Sequence, residues 1–285
     1  MTSNALGRTL SVIVITRNEA HNLHDCLQSV QGLANEVVVV DSQSTDATRE
    51  IALQHAAVVS QPADWPGFGP QKQRALDLAT CDWVLSLDAD ERVTPELAQE
   101  IREILRNDAH DPSDEHATTA ATISEGASNT KVQAAYQMPR LSWYCGKFIR
   151  HSGWQPDHVL RLFPRTQARF SDDLVHERVI SDLPLKTLRN HLLHYSYLNF
   201  SQVLSKTDAY STASAQQAFA KGKRASVAGA LGHGAWAFFR TYVLRAGFLD
   251  GAHGLALAIS NAEASYYKYL KLWWMAQEVQ HGHLD

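Results

Sequence analysis

Asp82-Trp83-Val84-Leu85-Ser86-Leu87-Asp88-Ala89-Asp90-Glu91 is an apolar run that closes on acids, two of them at i and i+2. Read as a strand, it points Asp88 and Asp90 to one side. Like charges crowded at a strand end repel unless a cation neutralises them. A hard divalent ion with oxygen ligands, shared with phosphates, suits that geometry. A solvated acidic turn leading into a helix is the other reading of the same residues.

The sequence around this run repeats its logic. Leu10-Ser11-Val12-Ile13-Val14-Ile15 is almost wholly apolar and β-branched, the pattern of a strand buried on both faces. Polar Thr16-Arg17-Asn18-Glu19 follows, then a helix whose stripe is Leu23, Cys26, Leu27 and Val30. Val37 to Val40 reads as a second buried strand ending at Asp41, and Ser42 to Asp46 as a capping turn before a helix over 47–56. Val58-Val59 is a short third strand. Pro62 to Pro70 is a loop, Gln71 to Ala79 a helix, and Trp83 to Leu87 the fourth strand. Thr94-Pro95-Glu96 opens a further helix with the stripe Leu97, Ile101, Ile104 and Leu105. Alternating strands and helices predict an α/β domain with a mostly parallel sheet. In such sheets ligands bind beyond the carboxyl ends of the strands. The clusters Thr16–Glu19, Asp41–Asp46 and Asp88–Glu91 all fall there.

The chain has 285 residues, 45% hydrophobic, with a net charge of -4. That length accommodates one large domain or a domain with an extension, and the charge gives no reason to expect nucleic acid. Cys26, Cys81 and Cys145 are scattered, which fits a reducing compartment. The apolar run at 10–15 is too short for a signal peptide, and no stretch reaches the roughly 18 apolar residues of a membrane span.

Residues 107–130, rich in Asp, Ser, Thr, Ala and His, lack periodicity and read as a flexible insertion. Sheet-like sequence resumes at Tyr136, with candidate strands at 143–149, 159–163, 174–180 and 192–195. From Phe200 the pattern is helical, with Phe200, Val203, Leu204 and Thr207 as one stripe and Lys221-Gly222-Lys223-Arg224 as a basic break. Beyond it, aromatics such as Trp236, Phe239, Trp273 and Trp274 alternate with basic residues. Short amphipathic helices of this kind suit a membrane surface. A helical cap on the sheet, or a homo-oligomer contact, is the other reading.

No Gly-x-Gly-x-x-Gly follows the first strand and no P-loop is present, which argues against dinucleotide oxidoreductases and P-loop NTPases. His21 with His24 and His191 with His194 lack a third ligand for zinc. The runs Ser11 to Glu19, Val39 to Thr48 and Leu87 to Glu91 instead resemble family 2 glycosyltransferases of GT-A fold. Gly153 to Phe163, Val175-His176-Glu177-Arg178 and Leu192-Leu193-His194-Tyr195 narrow the resemblance to bacterial lipopolysaccharide core β-glucosyltransferases that act on a heptose.

That resemblance implies a GT-A domain over 8–198 and a helical, membrane-associating extension over 199–285. It implies that Thr16, Asn18, Glu19, Asp41, Ser42 and Asp46 hold the nucleoside of a UDP-sugar and that Lys72 and Arg74 approach its diphosphate. Asp88 lies near ribose or sugar and, with Asp90, at a Mg2+ or Mn2+ ion that offsets charge on the leaving group. The reaction is inverting, so a carboxylate takes the acceptor proton. Glu177, oriented by His176, is preferred over Asp157, since His176 is well placed to tune it. Trp154 and Arg161 are expected at the acceptor. The expected place is the cytoplasmic face of the inner membrane, peripherally bound. A polyprenyl-phosphate glycosyltransferase, or a non-catalytic sugar-nucleotide or glycan-binding protein, are the alternatives.

Overall fold

Four largely apolar strands lie side by side and parallel at one end of the sheet in the computed structural model, which describes residues 7–109, 133–173 and 177–280. In chain order they are β1 (Leu10–Thr16), helix α1 (Ala20–Ser29), β2 (Glu36–Asp41), α2 (Thr48–Gln54), β3 (Val58–Ser60), α3 (Phe68–Leu78) and β4 (Trp83–Asp88). Then come β5 (Glu91–Val93), α4 (Pro95–Ala109), β6 (Ala135–Tyr144), β7 (Lys147–Phe148), β8 (His158–Pro164), β9 (Arg169–Phe170), β10 (Val179–Ile180), β11 (Leu185–Thr187) and β12 (Leu192–Tyr197). Three helices follow: α5 (Phe200–Ala220), α6 (Val227–Phe239) and α7 (Ala252–Gln280). Residues 110–132, most of the expected insertion, lie outside the described residues, as does the start of the strand expected at 174–180.

The chain divides into two compact units. The first holds the described residues through Arg140 together with His158–Leu193, and the second holds Leu141–Asp157 and the described residues from His194 onward. Strand order runs β3-β2-β1-β4-β8-β6-β12-β5, with β11 beside β6. The sheet turns antiparallel at β8, which pairs with both β4 and β6. Alternate residues of β1 serve opposite layers. Val12 and Val14 pack with Leu23, Leu27, Leu97 and Ile101, while Ile13 packs with Val38, Ala75 and Phe163. Burial on both faces is what the continuous apolar runs require.

Several elements depart from the sequence reading for identifiable reasons. Helix α3 begins at Phe68, not Gln71, because Pro70 sits in its first turn, where no intrahelical N–H is needed. The strand expected over 143–149 is a hairpin of β6 and β7. Cys145 and Gly146 both have positive φ, 45° and 112°, as a tight two-residue hairpin turn requires. In the second unit, Phe200 and Leu204 of α5 are exposed, and the buried face is Val203, Ser211 and Ala215. Small residues let α7 approach there, and Lys271 of α7 donates to Asp208 Oδ1 at 2.7 Å and to Ser211 Oγ at 2.9 Å. The expected short terminal helices include one of 29 residues, α7.

Candidate active site

The register of the parallel strands brings three polar ends level. Thr16 of β1 lies opposite Asp41 of β2, and Ile15 of β1 opposite Asp88 of β4. The order β2-β1-β4 reverses direction at β1, the switch point where α/β sheets open a crevice.

On one side of that point the first two strand-end loops are laced together. Thr16 Oγ1 donates to Asp41 Oδ1 at 3.0 Å, and the Ser44 amide donates to Asp41 Oδ2 at 3.0 Å. The Ser44 hydroxyl and Gln61 Nε2 also donate to Asp41. Burial works to raise the Asp41 pKa, but the bonds from Ser44, Gln61 and Thr16 outweigh it and hold the carboxyl below its usual value. Asn18, at φ 57°, donates its amide to Ser44 Oγ and accepts from the Thr45 amide at 2.8 Å each. Asparagine tolerates that left-handed conformation better than most residues. Ser42 accepts from Gln71 Nε2 at 3.0 Å. Asp46 accepts from the amides of Ala20 and Thr48, and the Glu19 amide donates to Thr48 Oγ1. Among the expected nucleoside residues, then, Asp41 and Asp46 shape the two loops through bonds to the chain itself.

Charge gathers on the other side. Asp88 ends β4, whereas Asp90 lies in the turn before β5, so the pair does not share a strand face as expected. Lys72, on α3, is buried and places Nζ 2.8 Å from Asp88 Oδ1 and 2.6 Å from Glu177 Oε1. Arg161, on β8, pairs with Asp88 Oδ2 and, at 2.8 Å, with Glu91 Oε1. Glu91 is fully buried and its Oε2 accepts from the Asp88 amide at 2.9 Å. Burial opposes ionisation of Asp88, yet Arg161 and Lys72 drive its pKa well below the usual carboxylate range. Burial likewise opposes the Arg161 cation, and Asp88 and Glu91 raise its pKa further above its ordinary value.

Two features deliver Glu177 to Lys72. Gly69 of α3 lies so close to the 171–173 segment that a Cβ would stand 1.9 Å from the Ser171 carbonyl oxygen. The β9–β10 hairpin then closes through Ser171 N to Arg178 O at 2.9 Å, with Glu177 just before β10. Glu177 therefore pairs with Lys72 and not with its neighbour Arg178, which faces Asp173 at 4.0 Å. His176, expected to orient it, lies outside the described residues. Arg74 turns away to Asp64 at 2.8 Å. In the second unit Trp154 packs against Tyr144 and Tyr197, and Asp157 is half-buried in the same unit.

A divalent ion is tested by the donors present. Both Asp88 oxygens are held by protein cations, and among the described residues no three His, Cys, Asp or Glu side chains group to hold an ion. The other acid of the pair, Asp90, stands in the turn before β5. One carboxylate fits an ion that takes its other oxygens from a substrate's phosphates and from water.

Sequence reasoning gave no role to Glu91, Gln61 or Gln71. Glu91 was visible as the third acid of the opening stretch. Gln61 follows β3 and was within reach of the same strand-end rule that found Asp41. Gln71 carried no signal.

Residues 11–132 match the family model described as glycosyl transferase family 2. An uncharacterised glycosyltransferase of Rickettsia bellii is 28% identical over 95% of this chain and 88% of its own. The lipopolysaccharide core biosynthesis glycosyltransferase LpsC of Rhizobium meliloti is 28% identical over 75% of this chain and 73% of its own. Among solved structures, S. aureus TarS in complex with UDP-GlcNAc is 18% identical, with a TM-score of 0.40 over 64% of this chain and 59% of that one. Over residues 11–132 the chain is thus similar to the family 2 glycosyl transferases. Within that class it resembles the enzymes of lipopolysaccharide core assembly.

Proposed function

We propose that the chain is an inverting transferase that moves a hexose, glucose in the first instance, from a UDP-sugar to a heptose of the lipopolysaccharide inner core. The observation that carries this reading is the level alignment of Thr16, Asp41 and Asp88 at the switch point, in a chain similar to LpsC. The loops of Thr16–Glu19 and Asp41–Asp46 form the nucleoside side of the site. Asp90 would hold Mg2+ or Mn2+ together with the donor's diphosphate, and the ion supplies Lewis-acid stabilisation of the departing nucleoside diphosphate. Asp88, neutralised by Lys72 and Arg161, faces the ribose or sugar. Glu177 takes the proton of the acceptor hydroxyl. One of its oxygens is anchored on Lys72, and Oε2 has no partner among the described residues.

The second unit supports a membrane-bound acceptor. Trp236, Leu244, Phe248 and Leu249 are each more than half exposed, with Arg240 and Arg245 also exposed between them in the chain. Exposed apolar groups among cations suit the surface of an anionic leaflet. No helix of the described residues is long and apolar enough to cross a membrane.

The reading is tested by incubating the enzyme and its Asp90→Ala variant with a panel of UDP-sugars, a heptose-containing lipid acceptor, and either Mn2+ or chelator. Release of UDP from UDP-glucose, with transfer to the acceptor that fails in the variant and under chelation, is the expected result. Release from no UDP-sugar under any of these conditions would refute it.

A further inference from the structure

Lys72 stands where a lysine could serve a diphosphate, but its surroundings assign it another task. Its side chain is only 3% exposed, and its ammonium is shared by Asp88 and Glu177 at 2.8 and 2.6 Å. Turning it toward a phosphate would strand Glu177, which has no other hydrogen-bond or ion-pair partner among the described residues. Breaking a buried ion pair by withdrawing one partner is costly, because the remaining charge is left uncompensated. Asp88 would keep Arg161, so Glu177 alone depends on Lys72.

That dependence has a geometric consequence. Glu177 is 18% exposed at its side chain and sits on a short segment between the β9–β10 hairpin strands. A glutamate side chain has several staggered rotamers to choose from, and fixing one costs conformational entropy. The Lys72 bond selects one of them. It pins Oε1 at the end of β4 and leaves Oε2 to accept a proton. The same ammonium touches Asp88, two residues before Asp90, so a single cation ties the proton acceptor to the turn that carries the donor.

We propose that Lys72 is a positioning residue, whose ammonium fixes Glu177 against Asp88 and so sets the distance between the base and the bound donor. This rests on the reading of Glu177 as the base. The alternative role, a direct ligand of the donor diphosphate, makes opposite kinetic demands. A donor ligand lost from the ground state raises KM, whereas a misplaced base lowers kcat.

The experiment is a double-mutant cycle of Lys72→Met and Glu177→Gln in the full-length enzyme, with transfer kinetics and calorimetric UDP binding for each variant. Lys72→Met is expected to lower kcat on the order of 100-fold, the scale of a misplaced catalytic group, with UDP affinity held within about threefold. In the Glu177→Gln background the same change is expected to cost nothing more, since the group it positions is gone. Lys72→Arg, which keeps the charge, is expected to recover part of the lost kcat. A UDP affinity about tenfold weaker with kcat unchanged would overturn the inference in favour of a diphosphate ligand. Full additivity of the two substitutions would overturn it as well. Wild-type kcat in Glu177→Gln would instead remove the base assignment itself, which separates the two failures. Should Lys72→Met not fold, Lys72→Arg carries the same readouts, with lowered kcat and unchanged UDP affinity expected and the reverse overturning the inference.

Discussion

Asp41 is wholly buried and accepts from Thr16, Gln61 and both the amide and the hydroxyl of Ser44. A carboxylate so surrounded stabilises the fold only while ionised. Its pKa is lowered in the folded state, so its contribution is complete above the unfolded value of about 4 and is lost as pH falls through the lower, folded value. Asp41→Asn is expected to lose about 2 kcal/mol at pH 7, since it weakens charge-assisted bonds. Urea unfolding at pH 7 and pH 3 checks this, and the gap between wild type and variant is expected to narrow in acid. A gap of the same size at both pH values would show that the charge on Asp41 does not matter. The residue itself was legible as the polar end of an apolar strand. That its four bonds go to the protein was not, because Gln61 and Ser44 meet it only once β3 and the loop have folded.

At the scale of elements, α3 governs the site. It carries Gln71 toward Ser42 and Lys72 toward Asp88, and its first turn lies against the segment that leads to Glu177. Gly69→Ala would force a methyl group into the Ser171 carbonyl, where backbone and not a flexible side chain must yield. Overpacking of this kind costs about 1–3 kcal/mol. The expected result is a lower thermal midpoint together with reduced transfer, because α3 and the Glu177 segment separate. A variant as stable as wild type would mean that the two segments part without loss. Nothing in Phe68-Gly69-Pro70 as a sequence distinguishes this close approach from an ordinary loop glycine. The same limit applies to α5. Of its expected stripe, Phe200 and Leu204 are exposed and Val203 is buried, and the packed face continues through the small residues Ser211 and Ala215. Helical periodicity identifies an apolar stripe, but close helix approach selects small side chains.

For the whole molecule, the exposed apolar side chains of the second unit make a claim about place. Trp236, Leu244 and Phe248 are 54%, 58% and 51% exposed. Inserted into the headgroup region, each would contribute on the order of 1 kcal/mol. Changing all three to Ser is expected to abolish sedimentation with anionic vesicles. Stability should shift by no more than about 0.5 kcal/mol per site, as for other surface changes. Undiminished binding to anionic vesicles by that variant would end the membrane reading and return the face to a protein contact.

The sequence by itself determined the α/β alternation, the buried stripes of α1 and α4 and the three polar strand ends. Each of these is a local pattern of side chains along one segment, and such patterns survive without knowledge of neighbours. Only the tertiary structure decided that Asp88 is balanced by Lys72 and Arg161 and that Glu177 meets Lys72 across 105 positions of chain. Charges buried together must be matched in space, and the partners that match them are chosen by strand register and helix packing, not by distance along the chain.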